Sequence, residues 1–455
     1  MPFTDAVVRL APQLRFIAPI GPSLQLLAMV SPEMADADRL EVTRQEVGID
    51  LIASQNLVSP FVLAAGSSAA TNKYAEGYPG KRYYGGCQYV DLTEMKAMEL
   101  ACQLFGAAYA NVPPHPGSSA TEEVYTALLN PGDQVLAMAI EAGGHLTHGN
   151  YPSETAVTYR FKHYGVDPTT GLIDYNVVES LALEQRPAMI VAGASAYSRD
   201  IDFDAFRRIA DQVGALLFVD MAHPAGLIAA GCLTSPIKKA HVTSTTTHKT
   251  LRGPRGGMIL LGEDMPDPRG RTTGKGGRVQ TLSERINSRV MPGRQGGPLM
   301  HIILAKAIAF QEALQDPFRD YAQQVIRNAQ MLADAMLQAG YHVVSGGTDN
   351  HVFLVDLRTK HPELTGKKAE RLLGEAGLTV NANMVPGETR TPFTTSGLRI
   401  GTPTITTRGM KEPEMLLIAG WIDAILSNPE DGDLRERILG KVLELTAQFP
   451  FYREG

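Results

Sequence analysis

At 455 residues, with 44% hydrophobic and 20% charged side chains, the chain is long enough for two or three domains with sizeable cores, and its composition is that of an ordinary globular enzyme. A formal net charge of −6, with both signs interspersed, leaves no basic stripe for nucleic acid as the primary partner, and no apolar run approaches the roughly 18 residues that a membrane span needs. The three cysteines, Cys87, Cys102 and Cys232, are too widely spaced for a disulfide framework or a zinc site, so no metal is expected and a reducing, cytoplasmic compartment is.

In chain order, residues 1–35 contain an apolar stretch over 11–30 that is broken by Pro12, Pro19, Gly21 and Pro22. They read as a frayed or disordered N-terminal extension, with a targeting peptide as the alternative. Residues 36–70 form an arm: a short polar helix over 36–47, then a strand-like run that leads into Ser54, Gln55 and Asn56. Residues 71–86 follow as T-N-K-Y-A-E-G-Y-P-G-K-R-Y-Y-G-G, where the glycines and Pro79 exclude a regular element. Tyr74, Tyr83, Tyr84 and the single acid Glu76 are costly on an irregular loop unless something binds there. Asp91 with Glu94 reads as a capping box that opens a helix, and Gly106 stops that helix.

Residues 115–121, H-P-G-S-S-A-T, open the next helix. Ser118 and Ser119 at its first turn suit either an anion such as a phosphate or an ordinary N-cap. Apolar runs at 134–140, 188–192, 216–219 and 258–261 alternate with helical patterns such as 203–213, which predicts an α/β fold with a mostly parallel sheet covered by helices. Polar residues gather where these strands end: Gly143, Gly144 and His145, then Ser195, then Asp220. Residues 265–282, rich in Gly, Arg and Lys, read as a mobile surface loop, and 291–301 carries a second glycine turn at Gly296 and Gly297. A large domain is thus expected over 71–315 and a smaller α/β domain over 316–455, the latter containing the stretch S-G-L-R-I-G around Arg399.

The chain is organised around residues 243–257, T-S-T-T-T-H-K-T-L-R-G-P-R-G-G. A β-branched hydroxyl run favours extended backbone and delivers His248 and Lys249 to a glycine-rich turn. Lys249 is there either a solvated lysine after a strand or a lysine placed to form a Schiff base. The preceding strand ends in Asp220, followed by Met221, Ala222 and His223. Strand-Asp-x-x-His followed about thirty residues later by strand-His-Lys suggests pyridoxal phosphate, with the aspartate on the pyridine nitrogen and the lysine on the aldehyde.

With these residues in place the chain resembles the serine hydroxymethyltransferase family. Residues 243–257 match that family's lysine signature nearly residue for residue, and the resemblance runs from near Ala37 almost to the C-terminus. It implies a pyridoxal-phosphate transferase of fold type I that interconverts L-serine plus tetrahydrofolate with glycine plus 5,10-methylenetetrahydrofolate through a cofactor aldimine. It also implies a homodimer, or a dimer of dimers, with shared active sites. Lys249, His248, Glu76 and Tyr84 are the implied catalytic residues, with Glu76 as the proton shuttle. Cofactor contacts would come from Ser54, Ser118, Ser119, Ser195, Asp220, His223, Thr246, Gly297 and Tyr74, with His145 stacked on the ring. Arg399, Tyr84 and Ser54 would bind the amino acid. Ile140, Gly143, Gly144, Leu146, Asn383 and Phe393 match positions lining the folate slot, and tetrahydrofolate is the co-substrate.

Departures from the family pattern are Gln55 for a glutamate, Pro116 and Ser119 and Thr121 in the phosphate turn, Ala142 for a histidine, and Met384 for a small polar residue. None removes a group that the chemistry needs. They keep open a sibling cofactor enzyme, such as an α-methylserine hydroxymethyltransferase or a threonine-type aldolase, and an impaired paralogue kept for binding.

Overall fold

The computed structural model describes residues 1–274 and 276–454. They fall into two compact units, one of Phe61–Ala322 and one of Met1–Pro60 together with Gln323–Gly455. Among the described residues no helix is long and apolar enough to cross a membrane.

The unit Phe61–Ala322 is built on a seven-stranded sheet: β1 (Tyr109–Asn111), β2 (Gln134–Met138), β3 (Arg160–Tyr164), β4 (Met189–Ala192), β5 (Leu216–Asp220), β6 (Val242–Thr246) and β7 (Gly257–Leu261), in the order β1-β7-β6-β5-β4-β2-β3. β3, β2, β4, β5 and β6 pair in parallel, and β7 runs antiparallel to both of its neighbours. The central strands are mostly apolar or β-branched because both faces are covered: every residue of β4, β5, β6 and β7 is buried. Helices α1 (Gln88–Phe105), α2 (Gly117–Leu128), α3 (Phe203–Val213) and α4 (Met300–Ala313) belong to this unit. α3 shows how sharply the sequence sets such boundaries: the Asp202 carboxylate caps its start by accepting from Ala205 N–H at 2.9 Å, and Gly214 ends it in the left-handed region at φ 71°. In the core Tyr125 of α2 meets Phe218 of β5 edge-on at 5.6 Å. Removing a ring so placed costs about 3–5 kcal/mol.

The chain passes from β2 outward to β3 and then back across β2 to β4, so neighbouring strands at β2 and β4 send their connections to opposite sides. Open α/β sheets bind ligands at such a switch point, outside the carboxyl ends of the strands.

The other unit carries a four-stranded antiparallel sheet, with β8 (His342–Val343), β9 (Val352–Asp356), β10 (Asn381–Asn383) and β11 (Gly397–Gly401) in the order β8-β9-β11-β10. Ile49–Asp50 pairs in parallel with Leu378–Thr379, which ties the segment before Ser54 into this unit. Where the sequence suggests a frayed extension, the structure has helices at Pro2–Leu10, Ile20–Val30 and Pro32–Val47. Pro2 and Pro32 stand in the first turn of a helix, where a missing N–H costs nothing, and Ser31 caps the third helix through Met34 N–H. Phe3, Ala6 and Val7 are buried against Val47 and Leu439, so the extension has a small core of its own.

Two further expectations are revised. Asp91 and Glu94 do not cap α1, which starts at Gln88; both carboxylates are bonded to Arg82, at 2.8 and 2.6 Å. The segment 265–282, of which Lys275 lies outside the described residues, is anchored at several points. Arg271 binds the buried Asp267, Arg269 binds Asp133 at 2.6 Å, and Arg278 binds Glu284. Its many arginines are the partners of these acids, which composition alone does not reveal.

Candidate functional site

The carboxyl ends of β2, β4, β5 and β6 carry four loops that are hydrogen-bonded to one another. Ser195 N–H, after β4, donates to Gly143 O, after β2, at 2.8 Å. Thr246 Oγ1 at the end of β6 donates to Ala222 O at 3.3 Å, and Thr250 Oγ1 donates to His223 O at 2.7 Å while accepting from Gly226 N–H at 2.9 Å. Lys249 lies between Thr246 and Thr250, so its backbone is held on both sides against the loop that carries His223. Arg252 N–H donates to Lys249 O at 3.1 Å and Gly253 N–H to Thr247 O at 2.7 Å, folding the rest of the loop tightly back. Lys249 and His223 are both buried.

Asp220 is the electrostatic centre of this edge. Its Oδ1 accepts from Ala222 N–H at 3.0 Å, and its Oδ2 lies 3.3 Å from His148 Nε2. Burial pushes this carboxyl up, but the His148 hydrogen bond, with His148, His145 and Lys249 close by, outweighs it and brings the pKa down to about 2. His148 Nδ1 accepts from the backbone N–H of His145 at 3.2 Å, which leaves Nε2 to carry the proton and donate to Asp220. His145 is fixed in turn: its Nδ1 accepts from Thr147 N–H at 3.2 Å and lies 2.7 Å from Thr147 Oγ1. The sequence reading missed His148. The signal was present, a second histidine three residues after His145 on a turn-rich loop, but the pairing with Asp220 crosses 72 positions.

His145, His148 and Asp220 also place donor atoms within 4.8 Å of one another, as metal ligands would. The Nδ1 atoms of both rings already accept N–H groups and His148 Nε2 serves Asp220, so the arrangement is that of a carboxylate held ionised for a cationic N–H partner. His248 differs from its neighbours. Burial, with Arg255 and Lys249 close by, lowers its pKa to about 3, so the ring is neutral at ordinary pH and is no proton donor there.

α2 begins beside this floor. Its N-cap, Pro116, provides no side-chain cap, so the N–H groups at Gly117, Ser118 and Ser119 are left for another acceptor. A Cβ on Gly117 would stand 2.3 Å from Thr246 Cγ2, so only glycine lets the helix start this close to the end of β6. Thr121, one of the departures from the family pattern, is buried in the second turn. Ile140 and Leu146 flank the Gly143–Gly144 turn with 37% and 39% exposure, an apolar rim beside the floor.

A second cluster forms around residues 73–86. Arg82 holds this hairpin from inside, donating to Ala75 O at 2.8 Å and Gly77 O at 2.7 Å besides its two carboxylates. Tyr83 N–H donates to Glu76 O at 3.0 Å, which sets Glu76 across the hairpin. The rings of Tyr74 and Tyr84 meet edge-on at 4.9 Å, and Tyr74 also lies against the Gly296–Gly297 turn. Tyr74, Tyr83 and Tyr84 remain 53%, 64% and 49% exposed.

The remaining expected residues lie in the other unit. Arg399 on β11 donates from Nε to Asn381 Oδ1 at 3.0 Å, and burial lowers its pKa to about 10, which still leaves it a cation. Gly401 N–H donates to Leu51 O at 2.8 Å, so the segment entering Ser54 runs beside β11. Asn383 donates to Met384 O at 2.7 Å, and Phe393 is 88% exposed.

Comparison with known proteins gives a consistent result. The family model for serine hydroxymethyltransferase matches residues 27–422. Serine hydroxymethyltransferase 1 of Pseudomonas putida is 55% identical over 413 residues, covering 91% of this chain and 95% of the relative. Serine hydroxymethyltransferase 1 of Pseudomonas aeruginosa is 54% identical over 421 residues, 92% and 97% of the two chains. The serine hydroxymethyltransferase of Marinobacter nauticus is 53% identical over 426 residues, 94% and 98%.

Proposed function

The chain belongs to the serine hydroxymethyltransferase family, and on that premise we propose that it moves the hydroxymethyl carbon of L-serine to tetrahydrofolate, yielding glycine and 5,10-methylenetetrahydrofolate, with pyridoxal 5'-phosphate as cofactor. It is a transferase of fold type I, and its mostly parallel sheet with helices fits that class.

One observation carries the cofactor assignment: a buried carboxylate, Asp220, held ionised at the end of β5 and joined by the loops' hydrogen bonds to the lysine-bearing turn. A pyridinium N–H is the partner that such a carboxylate suits, and the uncapped start of α2 with Ser118 and Ser119 suits a phosphate. The cofactor, when bound, supplies an electron sink for the bond broken at the amino acid's Cα.

The chain's own residues do the rest. Lys249 would hold the cofactor through its ε-amine, which the incoming amino acid would replace. Asp220 keeps the proton at the pyridine nitrogen, and His148 keeps Asp220 in its ionised form. His145, its ring fixed by Thr147, would stack on the cofactor ring, and Ser195, His223 and Thr246 would help to hold it. Arg399 pairs with the amino acid carboxylate through a planar fork, joined by Ser54. Glu76 moves a proton near the one-carbon unit, with Tyr84 beside it. Ile140, Gly143, Gly144, Leu146, Asn383 and Phe393 receive the pteridine. The neutral His248 orients rather than donates.

The exposed aromatic surface of Tyr74, Tyr83 and Tyr84 supports a second copy of the chain covering it, so that Glu76, Tyr74, Tyr84 and Gly297 serve the partner's Lys249. Three cysteines without disulfides fit a cytoplasmic setting. The reading is tested by loading the protein with pyridoxal 5'-phosphate, reducing with borohydride and mapping the modified peptide. Label on Lys249 is expected; a protein that takes up no cofactor would contradict it.

A further inference from the structure

Lys306 stands in the middle of α4, in the sequence M-H-I-I-L-A-K-A-I-A-F, and is only 1% exposed. A charged head so placed is expensive unless it is fully hydrogen-bonded. Its Nζ meets three backbone carbonyls, Val112 O at 2.6 Å, Gly257 O at 2.7 Å and Pro114 O at 3.1 Å. Burial lowers its pKa to about 7, but three acceptors around one nitrogen match the three N–H bonds of an ammonium, and a neutral amine would leave one carbonyl without a donor.

The position of those carbonyls gives the contact its meaning. Val112 and Pro114 lie between β1 and α2, on the segment that enters the anion-receptive turn at Gly117–Ser119. Gly257 opens β7, directly after the loop that starts at Lys249. The two stretches also meet through Gly257 N–H, which donates to Pro114 O at 3.0 Å and His115 O at 3.1 Å. The fit around the ammonium is close, since a Cβ on Gly256 would come within 2.4 Å of Lys306 Cε and 2.9 Å of its Nζ. Facing Lys306 are Glu94 from α1 and Glu123 from α2, both fully buried, together with His115 and His248. Both oxygens of Glu123 and one of Glu94 have no hydrogen-bond partner, so the ammonium's N–H bonds go to the carbonyls and not to these acids.

We propose that Lys306 is a positioning residue for the cofactor site, a role that presupposes the cofactor reading above: through the carbonyls of Val112, Pro114 and Gly257 its ammonium locks the approach to the phosphate turn onto the far end of the Lys249 loop. It touches neither cofactor nor substrate. It sets the distance between the two places at which the cofactor is gripped.

The test compares wild type with Lys306→Met, which keeps the length of the side chain and removes the donors. Amide hydrogen exchange on the cofactor-free protein reads the lock itself, and titration with pyridoxal 5'-phosphate reads its consequence. Faster exchange confined to 112–121 and 247–258, with cofactor affinity weakened about tenfold or more, is the size expected for a lost charge-assisted hydrogen bond. Unchanged exchange and affinity would overturn the proposal. So would a rise spread equally over β4 and β5, which marks a general loss of stability. If Lys306→Met does not fold, Gly256→Ala displaces the ammonium without deleting it, and the same two readouts decide. A wild type that binds no pyridoxal 5'-phosphate would refute the cofactor reading, whereas a wild type that binds it as tightly as Lys306→Met would refute only the role of Lys306.

Discussion

His148→Phe is the most informative single change in the floor of the site. Phenylalanine keeps a ring in a fully buried position but has no N–H for Asp220 Oδ2, which His148 Nε2 approaches to 3.3 Å. The Asp220 pKa stands at about 2 against an ordinary 3.8, a depression worth about 2 kcal/mol. The sign follows from that direction. A carboxyl whose folded pKa is lowered contributes stability above its unfolded pKa and loses it as the pH falls through the folded value. At neutral pH the contribution is present in full in wild type. Without His148 the opposing effect of burial prevails, and Asp220 becomes a weaker partner for a pyridinium. Cofactor affinity should fall about 30-fold, the equivalent of about 2 kcal/mol. The assay is titration of the cofactor-free protein with pyridoxal 5'-phosphate at pH 7, repeated in an Asp220→Asn background. There the second change should cost little, since the two residues act as one unit. A folded His148→Phe protein with wild-type affinity, or equal losses in both backgrounds, would refute the coupling.

Arg82→Met should cost about 3–5 kcal/mol in chemical denaturation, because it strands Glu94, which is 0% exposed, and releases the hairpin that carries Glu76; a loss below about 1 kcal/mol would place the pair with surface salt bridges. Glu123→Gln should stabilise the protein increasingly as the pH rises from about 5 to 8. Burial raises the Glu123 pKa to about 8, so across that window the unfolded chain gives up a proton that the folded chain keeps, which favours unfolding of the wild type, and parallel Tm curves for the two proteins would contradict this. Mixing inactive Lys249→Ala with inactive Glu76→Gln should restore part of the activity if the sites are shared, since one hybrid site then holds both native residues. No recovery in verified heterodimers would mean that each site is built from one chain.

What the sequence revealed and what it concealed divide along physical lines. Asp220 and Lys249 were legible because the first ends β5 and the second lies on the loop just after β6, both strands whose composition is set by burial on both faces, and strand ends are where this architecture places polar groups. The order β1-β7-β6-β5-β4-β2-β3 was not legible beyond its mostly parallel character, since pairing depends on contacts between distant segments. His148 and Lys306 escaped for the same reason: each finds its partners far along the chain, the first at Asp220 and the second at carbonyls 49 to 194 positions away. Glu94 was misread as a cap because a capping box and an acidic pair around a distant arginine share one local pattern. The prolines of residues 1–35 suggested interruption, whereas Pro2 and Pro32 open helices and Phe3 finds its pocket beside Val47 and Leu439.

The central claim is transfer of the serine hydroxymethyl carbon to a folate. It is tested most directly by following serine labelled at Cβ with purified, cofactor-loaded protein, with and without tetrahydrofolate, beside α-methylserine and allo-threonine. The account predicts label in methylenetetrahydrofolate, glycine formed in equal amount, serine turnover dependent on the folate, and loss of that turnover in Glu76→Gln while allo-threonine cleavage persists. Serine left unlabelled into folate by a protein that cleaves only allo-threonine or α-methylserine would contradict it.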